Sequence, residues 1–169
     1  MEALEAIMTR RSIRSYKPDP VSAEDLEKML RAAMAAPSAR NEQPWHFVVV
    51  RDPAVKDRIP DHHPYAACVR EAPLAILVCA DLEKESFRDY WEQNCAAAVE
   101  NLLVAARALG LGTVWLGVYP RQDRVAGMRE LFGLPPQVMP FCVVPVGYPA
   151  EEPGPVDRYQ PSRVHLDRW

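Results

Sequence analysis

The chain has 169 residues, of which 49% are hydrophobic and 25% charged, and its formal net charge is −3. This length predicts a single domain, residues 1–169, with a core large enough to need no disulfide or metal. A small negative charge without a broad basic patch argues against nucleic acid as the main partner. No apolar run reaches about 18 residues, so no membrane partner is expected. The first residues lack the features of a secretory signal, so a cytoplasmic location is expected.

The N-terminal third shows two helical patterns. Residues 1–9 predict a helix with Leu4, Ile7 and Met8 on one face. Residues 22–25 (SAED) resemble a capping box that opens a second helix, and Pro37 ends it. The apolar face of this second helix follows helical spacing and comprises Leu26, Met29, Leu30, Ala33 and Met34.

The middle of the chain predicts two strands and its longest helix. Residues 47–50 and 74–80 are strand-like, and the second run is apolar throughout, as in a strand buried on both faces. Between them, Asp52 and Pro53 open a short helix. Residues 87–109 form the longest helix, and Gly110 ends it. From residue 95 onward its only polar members are Glu100, Asn101 and Arg107, which predicts a helix at the centre of a subunit interface.

The last third predicts strands at 112–118 and 141–147 with a helix at 122–132 between them. Pro145 indicates an edge or a bulge in the final strand. The polar tail ends at Trp169, a large apolar side chain that we expect to pack on something, such as a partner subunit. Strands and helices mix without strict alternation, which predicts an α+β fold of one sheet packed with helices.

The first candidate binding segment is residues 10–16 (RRSIRSY). If it is extended, Arg10, Ser12 and Arg14 share one side, and Arg11 and Ile13 share the other. Two guanidiniums and a hydroxyl suit a phosphate and an adjoining polar ring, because arginine binds oxyanions with two parallel hydrogen bonds. The alternative is that Arg10 and Arg11 are only favourable cations at the end of the first helix.

The second candidate is the loop at residues 37–47 (PSARNEQPWHF), which runs into a strand. Ser38, Asn41 and Gln43 supply both donors and acceptors, the mixture that a heterocycle with alternating carbonyls and N–H groups requires. The alternative is an ordinary turn, since Ser and Asn are common in turns. Gln43 and Trp45 are not turn formers, which favours the binding role.

Other chemistry is not encoded. The sequence has no G-x-S-x-G, no P-loop and no G-x-G-x-x-G after a strand, so no Rossmann nucleotide site is predicted. Its four cysteines form no C-x-x-C pair, and Cys79 and Cys142 are expected to be core thiols. His62 and His63 are adjacent, a spacing that seldom binds one metal, so no metal site is predicted.

Taken together, the motifs resemble those of the FMN-dependent nitroreductase family. Residues 10–16 look like its opening motif and residues 37–47 like its second. Residues 94–117 resemble its central helix and following strand, and residues 158–165 its closing segment. The resemblance spans nearly the whole chain. It points to the short branch of the family, because little separates the middle motifs.

The resemblance implies a central mixed or antiparallel sheet flanked by helices, in an interlocked homodimer with two FMN sites at the interface. It implies that Ser38, Asn41 and Gln43 reach the flavin from the other subunit, and that Arg163 is a further candidate for the phosphate. Ten residues are expected to contact FMN: Arg10, Arg11, Ser12, Arg14, Ser38, Asn41, Gln43, Leu116, Gly117 and Arg158.

By the same resemblance, NADH or NADPH delivers a hydride to FMN, and a small electrophilic acceptor such as a nitroaromatic or quinone takes the electrons in a ping-pong cycle. A guanidinium near the flavin N1 and O2 atoms would stabilise the charge of the reduced ring, and the hydride chemistry belongs to the flavin. No catalytic side chain is predicted. The alternatives are FMN storage, delivery or sensing, and a specialised reaction such as flavin destruction or reductive dehalogenation.

Overall fold

The computed structural model describes residues 1–86, 90–154 and 156–169. It shows one antiparallel sheet with helices packed on both faces, which confirms the predicted α+β class. The helices are α1 (Ala3–Thr9), α2 (Ala23–Met34), α3 (Pro53–Lys56), α4 (Ile59–His62), α5 (Trp91–Ala108) and α6 (Gln122–Phe132). The strands are β1 (Trp45–Val50), β2 (Leu74–Asp81), β3 (Gly112–Thr113), β4 (Leu116–Gly117) and β5 (Val138–Gly147).

The sheet has the order β1-β2-β5-β3, and β4 also pairs with β5. Alternate residues of β2 enter two separate cores because side chains on a strand point to opposite faces. Leu74, Ile76 and Val78 lie in the core formed with α2 and α5. Ala75 and Leu77 lie in the other core, which includes residues of α4 and α6. Strand β2 is therefore buried on both faces, as its sequence predicts.

Several helix ends follow the predicted local signals. The Ser22 hydroxyl accepts a hydrogen bond from the Asp25 N–H at 2.9 Å, and Asp52 caps α3 through the Ala54 N–H at 2.9 Å. Gly110 follows the end of α5 with φ +78°, a conformation that favours glycine. Helix α6 spans the predicted residues, and Gly133 follows it with φ +59°.

Helix α5 begins at Trp91, and its predicted start at Phe87 lies outside the described residues. Its apolar residues bury against the sheet and α2, so the protomer itself explains much of the apolar pattern. The polar residues Glu100 and Arg107 contact Arg10 and Thr9, and Asn101 donates to the Ala32 carbonyl of α2. The proposed place of α5 in a subunit interface stays a prediction.

Two predicted strands differ in the structure. The stretch 112–118 is divided into β3 and β4 by Val114 and Trp115. The final strand begins earlier, at Val138, and lies between β2 and β3, so Pro145 is not in an edge strand. It pairs with Ala75, whereas the register shift of the β2–β5 pair falls at Val78 and Cys79, so the predicted bulge does not lie at Pro145 either. Pro145 lies between the residues that pair with β3 and β4. It is tolerated there because proline lacks an N–H and the neighbouring ladder is interrupted.

Several large apolar side chains are not covered within the protomer. Helix α1 forms as predicted, but Leu4, Ile7 and Met8 on its predicted apolar face are exposed. Trp169 is fully exposed and stacks on His165, with ring centroids 4.5 Å apart. Among residues 1–86, 90–154 and 156–169, no helix has the length and hydropathy of a membrane span.

The close approach of β3 to the segment after α1 gives a stability prediction. A Cβ at Gly112 would lie 2.8 Å from Ile13 Cγ2, and the Ile13 N–H is held by the Thr113 carbonyl at 2.9 Å. We expect Gly112→Ala to lower the free energy of unfolding by about 1–3 kcal/mol, as overpacking does. Urea denaturation measures it. Gly154→Ala is the control because its Cβ would meet nothing within 4 Å, and equal midpoints for the two variants would contradict the prediction.

Candidate functional site

Residues 10–16 are extended, as the first candidate requires. Arg10 has φ −59° and ψ 130°, Ser12 forms a parallel bridge to Thr113, and Tyr16 forms an antiparallel bridge to Pro149. Arg10 is also the C-terminal cap residue of α1, where its N–H donates to the Ala6 carbonyl. Both interpretations of this segment therefore apply. Arg10 lies at the end of α1, and the residues after it run extended along the edge of the sheet.

A cavity of about 470 Å³ lies beside this segment. Arg10 and Arg11 both border this cavity, although the alternation of side chains puts them on opposite sides of the segment. The other walls of the cavity include β3 and residues 149–154. Ser12 and Arg14 are exposed and are not among its described lining residues, so the predicted fork of Arg10, Ser12 and Arg14 does not line it. The lining residues are Thr9, Arg10, Arg11, Ile13, Arg107, Leu111, Gly112, Thr113, Pro149, Glu151, Glu152, Pro153 and Gly154.

The arginines of this cavity are partly paired. Arg10 Nε lies 3.2 Å from Glu100 Oε1 on α5, and Arg11 Nη1 donates to the Gly154 carbonyl. Arg107 Nε donates to the Thr9 hydroxyl at 3.0 Å. Sequence reasoning missed Arg107 as a site residue. The sequence feature that could have indicated Arg107 is a charged residue in a helix that is otherwise almost entirely apolar.

Glu151 fastens the start of the tail to the segment. Its Oε1 accepts hydrogen bonds from the Arg14 N–H at 2.5 Å and the Ser15 N–H at 3.2 Å. Two carboxylates border the cavity, Glu151 and Glu152, and that of Glu151 is engaged by two backbone donors. Arg158 and Arg163 are exposed in the tail and do not belong to the described lining of the cavity.

The second candidate loop brings its three predicted side chains together. The Ser38 hydroxyl accepts from the Gln43 N–H at 3.1 Å, and Gln43 Nε2 donates to Asn41 Oδ1 at 3.0 Å. The backbone φ values of Arg40, Asn41 and Gln43 are 52°, 58° and 49°. Residues other than glycine rarely adopt such values. Such strain persists only where surrounding contacts impose it, and it concentrates at binding sites.

Helix α5 supplies part of that constraint. Asn94 accepts from the Ala39 N–H at 3.0 Å and donates to Glu85 Oε1 at 2.6 Å. The loop borders a second groove with Gln93, Asn94 and Ala97. Neither Ser38 nor Asn41 is among the described residues that line the arginine cavity. One protomer therefore presents the two candidate segments in two separate depressions.

A third polar cluster surrounds Gly117 at the end of β4. Its carbonyl accepts from His63 Nε2 at 2.9 Å and from Arg124 Nη1 at 2.7 Å. Leu116 is buried, whereas Gly117 is half-buried and open on the side where a Cβ would lie, since the nearest atom there is the Tyr119 carbonyl oxygen at 4.0 Å. Sequence reasoning considered His63 only as half of a metal pair, and no metal-binding cluster occurs in the part of the chain that the structure describes.

His63 is buried and neutral. Its Nδ1 accepts from the Tyr65 N–H at 3.3 Å, so the network assigns the ring proton to Nε2, which donates to Gly117. Burial lowers the pKa of His63, and the Arg124 charge lowers it further, while the hydrogen bond to Gly117 opposes the shift. The pairing therefore holds over the neutral pH range without a charge on the imidazole.

Comparison with known proteins agrees with the family resemblance of the sequence motifs. The model of the nitroreductase family matches residues 7–64 and 62–148. A protein of Methanothermobacter thermautotrophicus, provisionally named NADH dehydrogenase/NAD(P)H nitroreductase, is 53% identical over 100% of this chain and 88% of its own length. FMN reductase [NAD(P)H] of Bacillus subtilis is 30% identical over 89% of this chain and 67% of its own. A nitroreductase from Desulfovibrio desulfuricans, solved in complex with FMN, is 33% identical, covers 100% of this chain and 98% of its own, and has a TM-score of 0.87.

The depressed pKa of His63 predicts a pH-dependent stability. Because the pKa of His63 is lowered in the folded state, the unfolded imidazole, with a pKa of about 6.5, takes up its proton at a higher pH than the folded one, and the free energy of unfolding falls as pH drops from about 6.5 towards the folded pKa. We expect His63→Gln to lose this part of the pH dependence. Urea midpoints at about pH 7.5 and about pH 5.5 measure it. His165→Gln, in the exposed tail, is the control, and the same pH dependence in both variants would refute the prediction.

Proposed function

The chain belongs to the nitroreductase family, and we propose that it is an FMN-dependent oxidoreductase that transfers electrons from NADH or NADPH to a small electrophilic acceptor, such as a nitroaromatic or a quinone. The observation that carries the proposal is the cavity beside residues 10–16, where three guanidiniums border one space. The names of two relatives, an FMN reductase and a nitroreductase solved with FMN, support the choice of flavin.

The donor set fits FMN. Arg10, Arg11 and Arg107 offer charge-assisted donors to a phosphate dianion, for which guanidinium geometry is well suited. Glu151 is engaged by backbone N–H groups, so its charge is partly compensated. A flat ring needs a backbone surface that it can approach closely, and the open side of Gly117 offers one.

Each part of the chain has a distinct proposed role. Arg10 and Arg11 bind the phosphate, with Arg158 and Arg163 of the tail as further cations, and Ser12 binds the ribityl chain. Arg14 lies at the N1/O2 edge, where a cation stabilises negative charge. Leu116 and Gly117 present backbone to the ring. The bound flavin supplies the hydride chemistry, so no side-chain acid or base is required, and the proposed kinetic pattern is ping-pong.

The proposed assembly is a homodimer with composite sites. Ser38 borders a different depression from the arginine cavity, and Asn41 and Gln43 are not among the described residues that line that cavity. In the proposed dimer a second copy joins the two sets. Ile7 of α1 borders a groove with α2 and α5, Leu4 and Met8 of the same helix are exposed, and the tail carries further exposed apolar side chains. Exposed apolar patches of this kind mark interaction surfaces.

The first test separates affinity from redox tuning. We expect the protein to take up FMN, Arg10→Ala to weaken FMN binding about tenfold to a hundredfold, and Arg14→Ala to slow flavin reduction more than it weakens binding. A charge-assisted hydrogen bond of roughly 1.5–3 kcal/mol sets this range. Flavin fluorescence quenching gives the dissociation constant, and the midpoint potential and NAD(P)H-driven reduction rate report on Arg14. Arg31→Ala, exposed on α2, is the control.

A colourless protein that quenches no added FMN would refute the cofactor. Binding without NAD(P)H consumption in the presence of nitroaromatics and quinones would favour storage, delivery or sensing. An unchanged potential in Arg14→Ala with a lowered potential in Arg10→Ala would reverse the two arginine roles while leaving FMN binding intact.

A second test addresses the composite site. We expect the homodimers of Arg10→Glu and of Gln43→Lys each to bind FMN poorly, because each damages both sites of its dimer. Unfolding them together and refolding the mixture should restore about a quarter of the sites, since half of the dimers are mixed and each has one intact site. FMN titration measures this. A mixture that binds no more than the separate variants would show that one protomer supplies the whole site.

A further inference from the structure

The Gly117 carbonyl accepts hydrogen bonds from two side chains. His63 reaches it from the residue after α4, and Arg124 reaches it from the first turn of α6. The two donor nitrogens, His63 Nε2 and Arg124 Nη1, are 3.3 Å apart and converge on one oxygen. Two elements from distant parts of the chain are thus joined at a single peptide group.

The peptide between Gly117 and Val118 is held at both of its polar atoms. Its oxygen accepts from His63 and Arg124, and its N–H, that of Val118, donates to the Phe141 carbonyl of β5 at 3.0 Å. A trans peptide is planar, so contacts at both ends fix the orientation of the whole unit. Glycine has no side chain to restrict its own backbone, so these external contacts supply the missing restraint.

The position of Arg124 in this contact costs free energy. Its Nε is buried without a hydrogen-bond partner among the described residues, and an unpaired buried donor costs free energy. Its guanidinium lies over the Tyr65 ring, 5.6 Å from the centroid, which restricts the plane of the group. The side chain is therefore held between Tyr65, His63 and Gly117 rather than extended into solvent.

We propose that His63 and Arg124 are positioning residues that hold the Gly117 backbone rigid against the isoalloxazine ring, so that reduction of the flavin, more than its binding, depends on them. The inference rests on the proposed function, because it needs FMN at the open side of Gly117. It assigns the two residues to the ring end of the site, whereas Arg10 and Arg11 serve the phosphate end. Removing either donor loosens the peptide without touching the groups that supply most of the affinity.

The test uses the FMN-loaded protein and stopped-flow reduction by NADH and by NADPH. We expect Arg124→Met and His63→Leu each to slow flavin reduction about tenfold, with the FMN dissociation constant changing by less than about threefold. The double variant should slow flavin reduction by less than the product of the two single-variant factors, because both donors bind the same oxygen. Arg124→Lys and His63→Gln keep a donor and should recover much of the rate. Arg121→Met is the matched control, an exposed arginine just before α6.

The possible outcomes distinguish a failure of the proposed function from a failure of the positioning role alone. Wild-type protein that takes up no FMN overturns the proposed function and this inference together. Wild-type protein that binds FMN and is reduced, with Arg124→Met and His63→Leu reduced at the same rate, overturns only the positioning role. Lower thermal stability and lower FMN affinity with a normal reduction rate for the flavin that stays bound also overturn it. Should Arg124→Met fail to fold, His63→Leu decides by the same criteria.

Discussion

The burial of helix α5 is the constraint on which the arrangement of the candidate site depends. Its apolar residues are fixed under the sheet, and the polar residues that remain on its surface fasten the segments expected to bind a ligand. Asn94 holds the strained loop through Ala39, while Arg107 and Glu100 hold Thr9, the last residue of α1, and Arg10, which follows it. From Asn94 to Arg107 the helix rises by about 20 Å, so one rigid element sets the spacing of both depressions.

The strained loop illustrates how that rigidity is used. Each residue in a sparsely populated region of φ and ψ costs of order 1–3 kcal/mol. Arg40, Asn41 and Gln43 adopt such values, with Glu42 in an ordinary conformation between the last two, and the hydrogen bonds to Ser38 and Asn94 help to impose them. The strain turns Asn41 and Gln43 outward as an exposed pair of amides whose own contact sets their orientation.

Much of the fold could be predicted from the sequence because its signals are local. The cap at Ser22, the glycine after α5 and the apolar run of β2 each depend on a few adjacent residues, and all three were confirmed. The extended form of residues 10–16 and the grouping of Ser38 with Gln43 were likewise predicted. The division of β3 from β4 was not, because Val114 and Trp115 are as strand-like in sequence as their neighbours.

The parts that sequence reasoning missed are contacts between residues far apart in the chain. His63 and Gly117 are separated by 54 residues, and Glu151 and Arg14 by 137. No periodicity reports such a pairing, since it depends on how the sheet brings the ends of elements together. Alternation also fails to predict that Arg10 and Arg11 border one cavity, whose other lining residues include members of β3, α5 and the start of the tail.

The apolar face of α1 shows where a correct local prediction stops short of the whole molecule. Leu4, Ile7 and Met8 have helical spacing, and the helix forms, yet the protomer leaves all three exposed. Helical amphipathicity specifies that a face is to be buried, but not by which chain. In the proposed dimer that role falls to the second copy, which would also bring Ser38 and Gln43 to the arginine cavity. One interface would then stabilise the fold and complete the site, so that neither the apolar face nor the binding residues would have a purpose in the isolated chain.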